Sequence, residues 1–395
     1  MSTTKRLLVA THVFLIFSIV FLAGTDAAFA DHVSKADRSS RAEHDSERVR
    51  VIAESEQEAA SALAHGCMVV REAKGMKALL CDSDVASSLD LKEDIKVFKA
   101  DSGANWQIGA NIVRKSGNSG AGRIIVVLDT GYNYNHPELS SSYLGGKDFS
   151  NNDNDPFDDN GHGSHVAGLI TADGIKSSAR GAAPKAAIIS GKVLGQDGSG
   201  NISDIIAAIY WAVDGPDGEP GTADDFKADA ISMSLATPPP YVFKTFCNSV
   251  LPSLTSAIKY AVNHRVVVVV AAGNYGSQGV SMPGCVTYST TVGAVSGSDK
   301  IASFSGRGKG VDVTAPGVSL ESAWLGTSYV KASGTSMATP LVSATVALVK
   351  HDHPSYSHSQ VQAALFNTAK DLGVTGKDYA YGHGRVVASA AVDYP

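Results

Sequence analysis

Asp129 is the first of four polar residues whose type and position could support chemistry. It directly follows the apolar run of residues 124–128, which is typical of a buried strand. Functional sites of open α/β sheets form beyond the carboxyl ends of their strands, so this carboxylate is a candidate functional group. The alternative is a residue that caps the turn Asp129-Thr130-Gly131, and Asp129 taken alone favours that alternative.

His162 follows 33 residues later, between Gly161 and Gly163, at the start of a helical pattern of small residues. The flanking glycines allow other groups to approach the imidazole closely. A metal pair of His162 with His165 is the alternative, but no Cys or Glu at ligand spacing completes a zinc set. We therefore expect an imidazole that neighbouring groups can reach.

Ser336 lies in the segment 334–340, directly before an apolar helical pattern at residues 341–350. The dipole and the unpaired N–H groups of a helix N-terminus stabilise negative charge that develops near such a hydroxyl, and Gly334 supplies a tight entry turn. The alternative is a serine that merely caps the helix. Ser328 has similar neighbours, but no helical pattern follows it.

Asn274 ends a strand pattern that contains five consecutive valines, at residues 266–270, and is reached through Gly273. A side-chain amide at a strand end can direct its N–H groups at a fixed point. A carboxylate, an imidazole, a hydroxyl and an amide are thus the candidate groups.

The segments that must position these groups alternate between strands and helices. Continuous apolar runs predict strands at residues 124–128, 187–190, 230–234 and 266–272. Helical patterns lie between them, at residues 202–213 and 254–262. Apolar strands with helical crossovers predict an α/β fold with a parallel sheet that is covered on both faces.

In this order, the motifs closely resemble those of the subtilisin-like serine proteases, the subtilases. The resemblance extends roughly over residues 106–393 and implies a three-layer α/β fold with a mostly parallel central sheet. The motifs that carry it are DTG at 129–131, NGHGSHVAG at 160–168, GAAPKAAIISGKVL at 181–194, SMSL at 232–235, AAGN at 271–274 and GTSMATP at 334–340.

The resemblance implies a serine endopeptidase that works through an acyl-enzyme. It assigns Ser336 as the nucleophile and His162 as the general base and later the general acid. It assigns Asp129 as the carboxylate that orients His162, and Asn274 as an oxyanion donor beside the Ser336 N–H. These roles agree with the chemistry, because a serine hydroxyl is a poor nucleophile until a histidine within hydrogen-bond reach takes its proton.

Two alternative functions belong to other classes. An α/β-hydrolase esterase is disfavoured, because the motif G-x-S-x-G is absent and the nucleophile would come last in the chain. A catalytically silent, secreted binding protein on the subtilase fold is the second alternative. The presence of all four candidate groups argues against it.

Two segments resemble the walls of the subtilase substrate cleft, Gly198-Ser199-Gly200 and Ser234-Leu235-Ala236. The resemblance implies that an unfolded or flexible polypeptide lies between them as an added strand and binds mainly through its backbone. An ordinary loop and strand end are the alternative. Ala236 stands where the family usually has Gly, which would narrow the cleft slightly.

Apolar residues near these walls predict which substrate side chains bind. One group resembles the lining for a side chain several residues before the scissile bond: Ile202, Ile205 and Leu235. A second group suggests the pocket next to the scissile bond, together with segment 234–236: Ala272, Gly273 and, at the rim, Tyr275. We expect cleavage after apolar or aromatic residues.

Two acidic loops resemble calcium sites of subtilases, and alternate oxygen side chains suit calcium. The loop before His162 offers Asp153, Asp155, Asp158 and Asp159. The second loop offers Asp214, Asp217, Asp224 and Asp225. A solvated acidic turn is the alternative for each loop.

The family's common high-affinity calcium site is in doubt in this sequence. Glu138 matches its early carboxylate, but Ile175 stands where an Asn side chain is usual. We expect this site to be weaker or absent.

The composition excludes several classes of protein and partner. Of the 395 residues, 44% are apolar and 18% are charged, which excludes a disordered, collagen-like or coiled-coil chain. The net charge is −6 and no run of Lys and Arg stands out. Nucleic acid and anionic membrane surfaces are therefore not expected partners.

Residues 1–30 predict a secretory signal peptide with cleavage after Ala30. Two basic residues precede an apolar stretch at 7–24, and the small-residue triplet Ala28-Phe29-Ala30 follows. An uncleaved membrane anchor is the alternative, but His12 interrupts the stretch. We expect a secreted protein that is soluble once the signal is removed.

Residues 31–101 differ in composition from the rest of the chain. They hold 26 charged side chains in 71 residues, whereas residues 102–395 hold 43 in 294. Their pattern predicts a small α+β domain of order βαββαβ, with a last strand at 95–100. This domain resembles the subtilase prodomain, which implies an intramolecular inhibitor and folding aid. An inhibitor whose last strand lies in the substrate cleft would be cut by Ser336, so we expect self-cleavage between Lys99 and Trp106. The catalytic domain is expected at 102–395, as a monomer.

Four cysteines suit an oxidising compartment and allow three pairings. A bridge between the two domains would tether a segment that has to leave. Cys67–Cys81 and Cys247–Cys285 are therefore favoured, with free buried thiols as the alternative.

Overall fold

Residues 48–73, 76–93 and 103–395 are described in the computed structural model of the chain. They form two compact units, one within residues 1–97 and one within residues 98–395. The expected signal peptide, the predicted strand at 95–100 and the first part of the predicted cleavage segment lie outside the described residues.

The first unit is a four-stranded antiparallel sheet with two helices, and its strands have the order β2-β3-β1-β4. Helix α1 begins where it does because Ser55, in an extended conformation, accepts a hydrogen bond from the Glu58 N–H. Val51, Ala53 and Leu79 lie in its core. The elements are β1 (Arg48–Ala53), α1 (Glu56–Ala64), β2 (Met68–Ala73), β3 (Met76–Asp82), α2 (Ser83–Ser88) and β4 (Lys92–Glu93).

The second unit alternates strands and helices over most of its length. Its first half contains α3 (Gly103–Ile108), α4 (Ala110–Lys115), β5 (Ile124–Asp129), β6 (Tyr143–Asp148), α5 (His162–Thr171), β7 (Ala187–Lys192), α6 (Ile202–Asp214), β8 (Ala230–Met233) and β9 (Val242–Phe243). Its second half contains α7 (Pro252–Asn263), β10 (Val267–Ala271), β11 (Val280–Ser281), β12 (Thr290–Val295), β13 (Val313–Pro316), β14 (Leu320–Ala323), β15 (Tyr329–Ala332), α8 (Thr335–Asp352), α9 (His358–Asn367) and α10 (Ala388–Val392).

Seven strands of this unit form one parallel sheet in the order β13-β12-β10-β8-β5-β7-β6. Successive valines of β10 face opposite sides. Val267 and Val269 belong to the apolar cluster that contains α5 and α8, and Val268 and Val270 to the cluster that contains α6 and α7. Burial of each valine contributes about 1.5–3 kcal/mol. The prediction of a three-layer α/β fold with a parallel sheet covered on both faces is confirmed.

Both favoured disulfides are present. Cys67 and Cys81 are bonded within the first unit, with their Cα atoms 4.4 Å apart. Cys247 and Cys285 are bonded within the second unit, with their Cα atoms 5.4 Å apart. Among the described residues, none of the helices combines the length and apolar composition needed to cross a bilayer.

Candidate active site

The candidate residues meet at one edge of the parallel sheet. Strands β10, β8 and β5 are neighbours and run in the same direction, so their carboxyl ends lie side by side. Asp129 is the last residue of β5, Ser234 directly follows β8, and Asn274 follows β10. The fold thus brings together side chains that are far apart in the sequence.

Asp129 and His162 are joined by a short hydrogen bond. The Asp129 Oδ1 lies 2.7 Å from His162 Nδ1 and also accepts from the Thr130 N–H at 2.8 Å. Asp129 is buried, and its Oδ2 has no hydrogen-bond partner among the described residues. Because a carboxylate can only accept, His162 carries its proton on Nδ1 and leaves Nε2 with a free lone pair.

Opposing influences set the pKa of His162. Burial lowers the pKa of this imidazole, whereas the charge of Asp129, the hydrogen bond to Asp129 and the charge of Asp158 raise it. The net result is a pKa above the ordinary value of 6.5. Protonated His162 is therefore favoured by its carboxylate neighbours.

Ser336 lies inside the first turn of α8 and does not cap the helix, since the N-cap is Gly334. Its Oγ donates to the Ser234 carbonyl oxygen at 3.0 Å, and Ser234 Oγ donates to the Ser336 carbonyl oxygen at 2.9 Å. The hydroxyl is therefore hydrogen-bonded to the end of β8 and not to His162.

Asn274 is exposed, and its amide is fixed by the start of α8. Its Oδ1 accepts from the Thr335 N–H at 3.0 Å and from Thr335 Oγ1 at 3.1 Å. A Cβ placed on Gly334 would lie 3.4 Å from Asn274 Nδ2 and 3.6 Å from the Ser336 nitrogen. These two nitrogens therefore border the same small space beside Gly334.

The two predicted cleft walls differ in exposure. Residues 198–200 are exposed and belong to a loop that is tied to the site by Asn160. The Asn160 Nδ2 donates to the Gln196 carbonyl oxygen at 2.8 Å, and its Oδ1 accepts from the His162 N–H at 3.2 Å. In the other wall Ser234 and Leu235 are buried, whereas Ala236 is exposed.

The predicted apolar linings divide between buried and accessible residues. Ile202, Ile205 and Leu235 all pack with the cluster around α6 and α7, and the last two are buried. In the second group, Ala272 and Gly273 are buried and Tyr275 is partly exposed. Gly273 has a φ of +87°, and a Cβ there would lie 2.3 Å from Ser281 Oγ, so no larger residue fits.

The carboxylates of the first acidic loop differ in burial and in their partners. Asp153 and Asp155 are exposed. Asp158 is fully buried and accepts five hydrogen bonds from protein groups, and Asp159 pairs with the buried Lys192 at 2.5 Å. The oxygens of Asp158 and Asp159 thus have protein partners here, and calcium binding by this loop stays a prediction.

The second acidic loop also uses its carboxylates internally. Asp214 accepts from the Tyr260 hydroxyl at 2.8 Å. The others accept hydrogen bonds from groups of their own loop: Asp217, Asp224 and Asp225. Across the described ranges, no three His, Cys, Asp or Glu side chains are grouped as a metal site requires. Calcium at either loop stays a prediction.

Glu138, the match to the family's common calcium ligand, is also occupied by the protein. Its buried carboxylate accepts from the N–H groups of Gly174, Ile175 and Lys176 at 2.6, 3.1 and 2.6 Å, and from the Tyr329 hydroxyl at 2.9 Å. Burial and this hydrogen bond raise the pKa of Tyr329 to about 12. Glu138 therefore anchors the loop that follows α5.

The model of the subtilase family matches residues 120–384 of this chain. The chain belongs to the subtilase family. Subtilisin BL of Lederbergia lenta is 38% identical over 285 residues, which cover 72% of this subtilase and 96% of that protein. The alkaline protease of Alkalihalobacillus alcalophilus is 36% identical over 304 residues, or 76% of this chain and 73% of its own.

Subtilisin E of Bacillus subtilis strain 168 is 36% identical over 290 residues, which cover 72% of this subtilase and 69% of that protein. Together with the family match, these relatives identify the subtilase as a serine endopeptidase.

Sequence reasoning missed what Asp158 and Lys192 do in this subtilase. Lys192 is buried at the end of β7, in register with Asp129, and its Nζ donates to the Thr130 carbonyl oxygen at 2.7 Å. A lysine that ends an otherwise apolar strand was an available signal. For Asp158 no such signal existed, because an acidic loop reads equally well as a solvated turn.

Proposed function

We propose that this subtilase hydrolyses peptide bonds with Ser336 as nucleophile, His162 as base and Asp129 as the residue that orients His162. The observation that carries the proposal is the 2.7 Å hydrogen bond between Asp129 Oδ1 and His162 Nδ1. A carboxylate in that position holds the proton on Nδ1 and stabilises the imidazolium that forms when Nε2 takes a second proton.

The reaction begins when His162 Nε2 removes the proton of Ser336 Oγ. The oxygen forms a bond to the carbonyl carbon of the scissile peptide, and the π electron pair moves to the carbonyl oxygen. The Ser336 N–H and the Asn274 amide donate to this oxyanion. His162 then gives its proton to the leaving amine as the C–N bond breaks, and a water molecule repeats both steps on the ester.

The resting hydrogen bond of Ser336 must change before the reaction starts. Its Oγ donates to the Ser234 carbonyl oxygen, which lies in the wall where a substrate strand would bind. In the proposed reaction the hydroxyl leaves this acceptor and donates to His162 Nε2.

The substrate is an extended, flexible polypeptide that is cut after apolar or aromatic residues. Support comes from the exposed segment 198–200 and the opposite wall 234–236, with apolar groups behind them. The glycine at 273 supports a pocket of limited size, and Tyr275 occupies its rim without a charge that would recruit Lys or Arg.

The chain is exported and matures by its own cleavage between Lys99 and Trp106, with residues 31–101 as inhibitor and folding aid. The leader composition of residues 1–30 supports export. The first unit has its own core and its own disulfide, which supports a domain that persists after cleavage. The mature enzyme acts outside the cell as a monomer.

Replacement of the nucleophile tests the proposal. We expect Ser336→Ala to abolish casein cleavage, labelling by a fluorophosphonate and maturation of the precursor. The circular dichroism spectrum should stay native, because the substitution removes only one oxygen. Normal self-processing of this variant would overturn the assignment. Absence of labelling in the wild-type mature protein would favour the catalytically silent binding protein.

A further inference from the structure

Asp158 is a fully buried carboxylate directly before the active-site helix α5. Its Oδ1 accepts from Thr130 Oγ1 at 2.9 Å, from the Asn160 N–H at 3.1 Å and from the Gly161 N–H at 2.8 Å. Its Oδ2 accepts from the N–H and the Oγ of Ser164 at 2.8 and 2.6 Å. All five donors belong to the segments that carry Asp129 and His162.

Helix α5 depends on this carboxylate for its first turn. Its N-cap, Gly161, has no side chain to receive the N–H groups that a helix start leaves unpaired. Asp158 accepts two of them, from Gly161 and Ser164, and Thr130 Oγ1 accepts a third, from Gly163, at 2.8 Å. Asp158 therefore completes the end of the helix on which His162 is the first residue.

The same carboxylate reaches the other half of the pair. Thr130 is bonded through its hydroxyl to Asp158 and follows Asp129 in the chain. Its carbonyl oxygen accepts from Lys192 Nζ, which is buried and paired with Asp159. Asp158 and Lys192 thus both fix the turn after β5, and Asp158 also fixes the start of α5.

We propose that Asp158 is a positioning residue that fixes His162 relative to Asp129. This inference rests on the proposed function of those two residues. Among the described residues, Asp158 forms no hydrogen bond to the side chain of Asp129 or of His162. It therefore acts through Thr130 and the first turn of α5. A misplacement of about 1 Å between reacting groups lowers rates about 10²-fold, which sets the scale of the effect.

The charge of Asp158 affects the pKa of His162, which a change in packing alone would leave unchanged. The groups that face His162 are Asp129 at the end of β5, Asp158 in the preceding loop and His165 one turn along α5. His165 is held neutral, since burial lowers its pKa to about 4. Removal of the Asp158 charge therefore lowers the pKa of His162 and moves the acid limb of activity to lower pH.

The experiment compares Asp158→Asn with Asp148→Asn in the full-length protein. Asp148 is an equally buried carboxylate, but among the described residues its side chain accepts only from the N–H and the side-chain amide of Asn151. For Asp158→Asn we expect kcat about 10²-fold lower with KM little changed, and an acid limb at lower pH. The control should lose stability without a change in the acid limb.

A second pair of variants covers the case that Asp158→Asn does not fold. Thr130→Val removes the hydroxyl that links Asp158 to Gly163, whereas Thr130→Ser retains it. We expect Thr130→Val to lower kcat and Thr130→Ser to restore it. Equal kcat for Val and Ser at this position, or an unchanged acid limb in folded Asp158→Asn, would overturn the proposal.

NMR of the His162 ring protons in the Ser336→Ala background measures the pKa of His162. This measurement separates the positioning role of Asp158 from the proposed function. This measurement needs no activity, so it tests the role of Asp158 even if Ser336 is not the nucleophile. A lower pKa in Ser336→Ala/Asp158→Asn than in Ser336→Ala supports the positioning role. An equal pKa refutes it and leaves the proposed function untouched.

Discussion

Two buried carboxylates of the site contrast in how completely they are hydrogen-bonded. Asp129 offers one oxygen to His162 and Thr130, and its other oxygen has no partner in the described part of the chain. Asp158 has five donors on its two oxygens. The difference agrees with the proposed roles, in which Asp129 responds to charge on His162 and Asp158 holds backbone groups in place.

The proposed oxyanion role of Asn274 predicts the effect of Asn274→Ala. We expect kcat to fall about 10²- to 10³-fold with KM nearly unchanged, which is the known magnitude for loss of the oxyanion asparagine in subtilisin. The reason is that the amide acts on charge that develops in the transition state. Steady-state kinetics on a peptide anilide measure it.

Thr335→Val is the matched control for Asn274, because Thr335 Oγ1 donates to Asn274 Oδ1 while the Thr335 N–H also does so. One of the two bonds that fix the amide survives this change, so the loss of kcat should be smaller. A rise of KM with unchanged kcat in Asn274→Ala would contradict the oxyanion role.

The raised pKa of His162 predicts where activity is lost in acid. His162 must be neutral to accept a proton, and its pKa lies above 6.5 because the carboxylates outweigh burial. As pH falls through that raised pKa, the base becomes protonated and kcat/KM declines. We expect the midpoint of the acid limb above pH 6.5, and a midpoint at or below that value in a pH–rate profile would contradict the prediction.

At the scale of elements, four of the seven strands of the parallel sheet were predictable from their apolar runs. Strands β5, β7, β8 and β10 read as continuous apolar runs, and all four are present within one or two residues of the predicted ends. Strand β6 was missed because Gly145 and Gly146 interrupt it. Gly146 is needed there, since a Cβ would lie 2.2 Å from the Ser190 carbonyl oxygen.

The catalytic candidates were predictable from motifs, but their contacts were not. Asp129, His162, Asn274 and Ser336 lie at strand ends or a helix start, where local sequence determines position. The partners of Asp158 and Glu138 depend on segments that meet only in the folded chain. The acidic loops suggested calcium, and no sequence signal indicated the hydrogen bonds that Asp158 and Glu138 accept from backbone groups.

Glu138 predicts the stability of the loop after α5. In Glu138→Gln an amide NH₂ would face backbone N–H groups of residues 174–176, so a charged acceptor is lost and donors oppose each other. We expect the free energy of unfolding to fall by roughly 3 kcal/mol, measured by thermal or denaturant unfolding of the Ser336→Ala form.

Glu321→Gln is the control from the same region, because Glu321 bonds Lys176 Nζ and Ser178 Oγ at the ends of side chains. Its loss should lower the free energy of unfolding by less than about 1 kcal/mol. Removal of metal ions by a chelator should not destabilise this loop, so the melting temperature of the wild type should stay unchanged. A drop with chelator in the wild type that Glu138→Gln abolishes would show that Glu138 binds a metal.

At the scale of the whole molecule, each disulfide bond lies within one of the two units. All four cysteines are used in two bonds, one inside each unit. No disulfide therefore crosses from the first unit to the second. Peptide-bond cleavage between them is sufficient to end their covalent connection.

Maturation should thus yield two chains without reductant. After self-cleavage, a non-reducing denaturing gel should show the catalytic chain and the smaller fragment as separate bands, and N-terminal sequencing of the larger band should begin between residues 99 and 106. A single band that separates only after reduction would mean that the bonds cross. A start before residue 95 or after residue 110 would place the boundary elsewhere.

The order of strands in the parallel sheet affects the rate of folding as well as the architecture. Ile125 of β5 pairs with Ile188 on one side and with Ala230 on the other, so the centre of the sheet forms only after long stretches of chain have closed. Such non-local topologies fold slowly. For a protease, every opened copy is a substrate for its neighbours, so the working lifetime of a population is set by the rate of opening and not by the equilibrium.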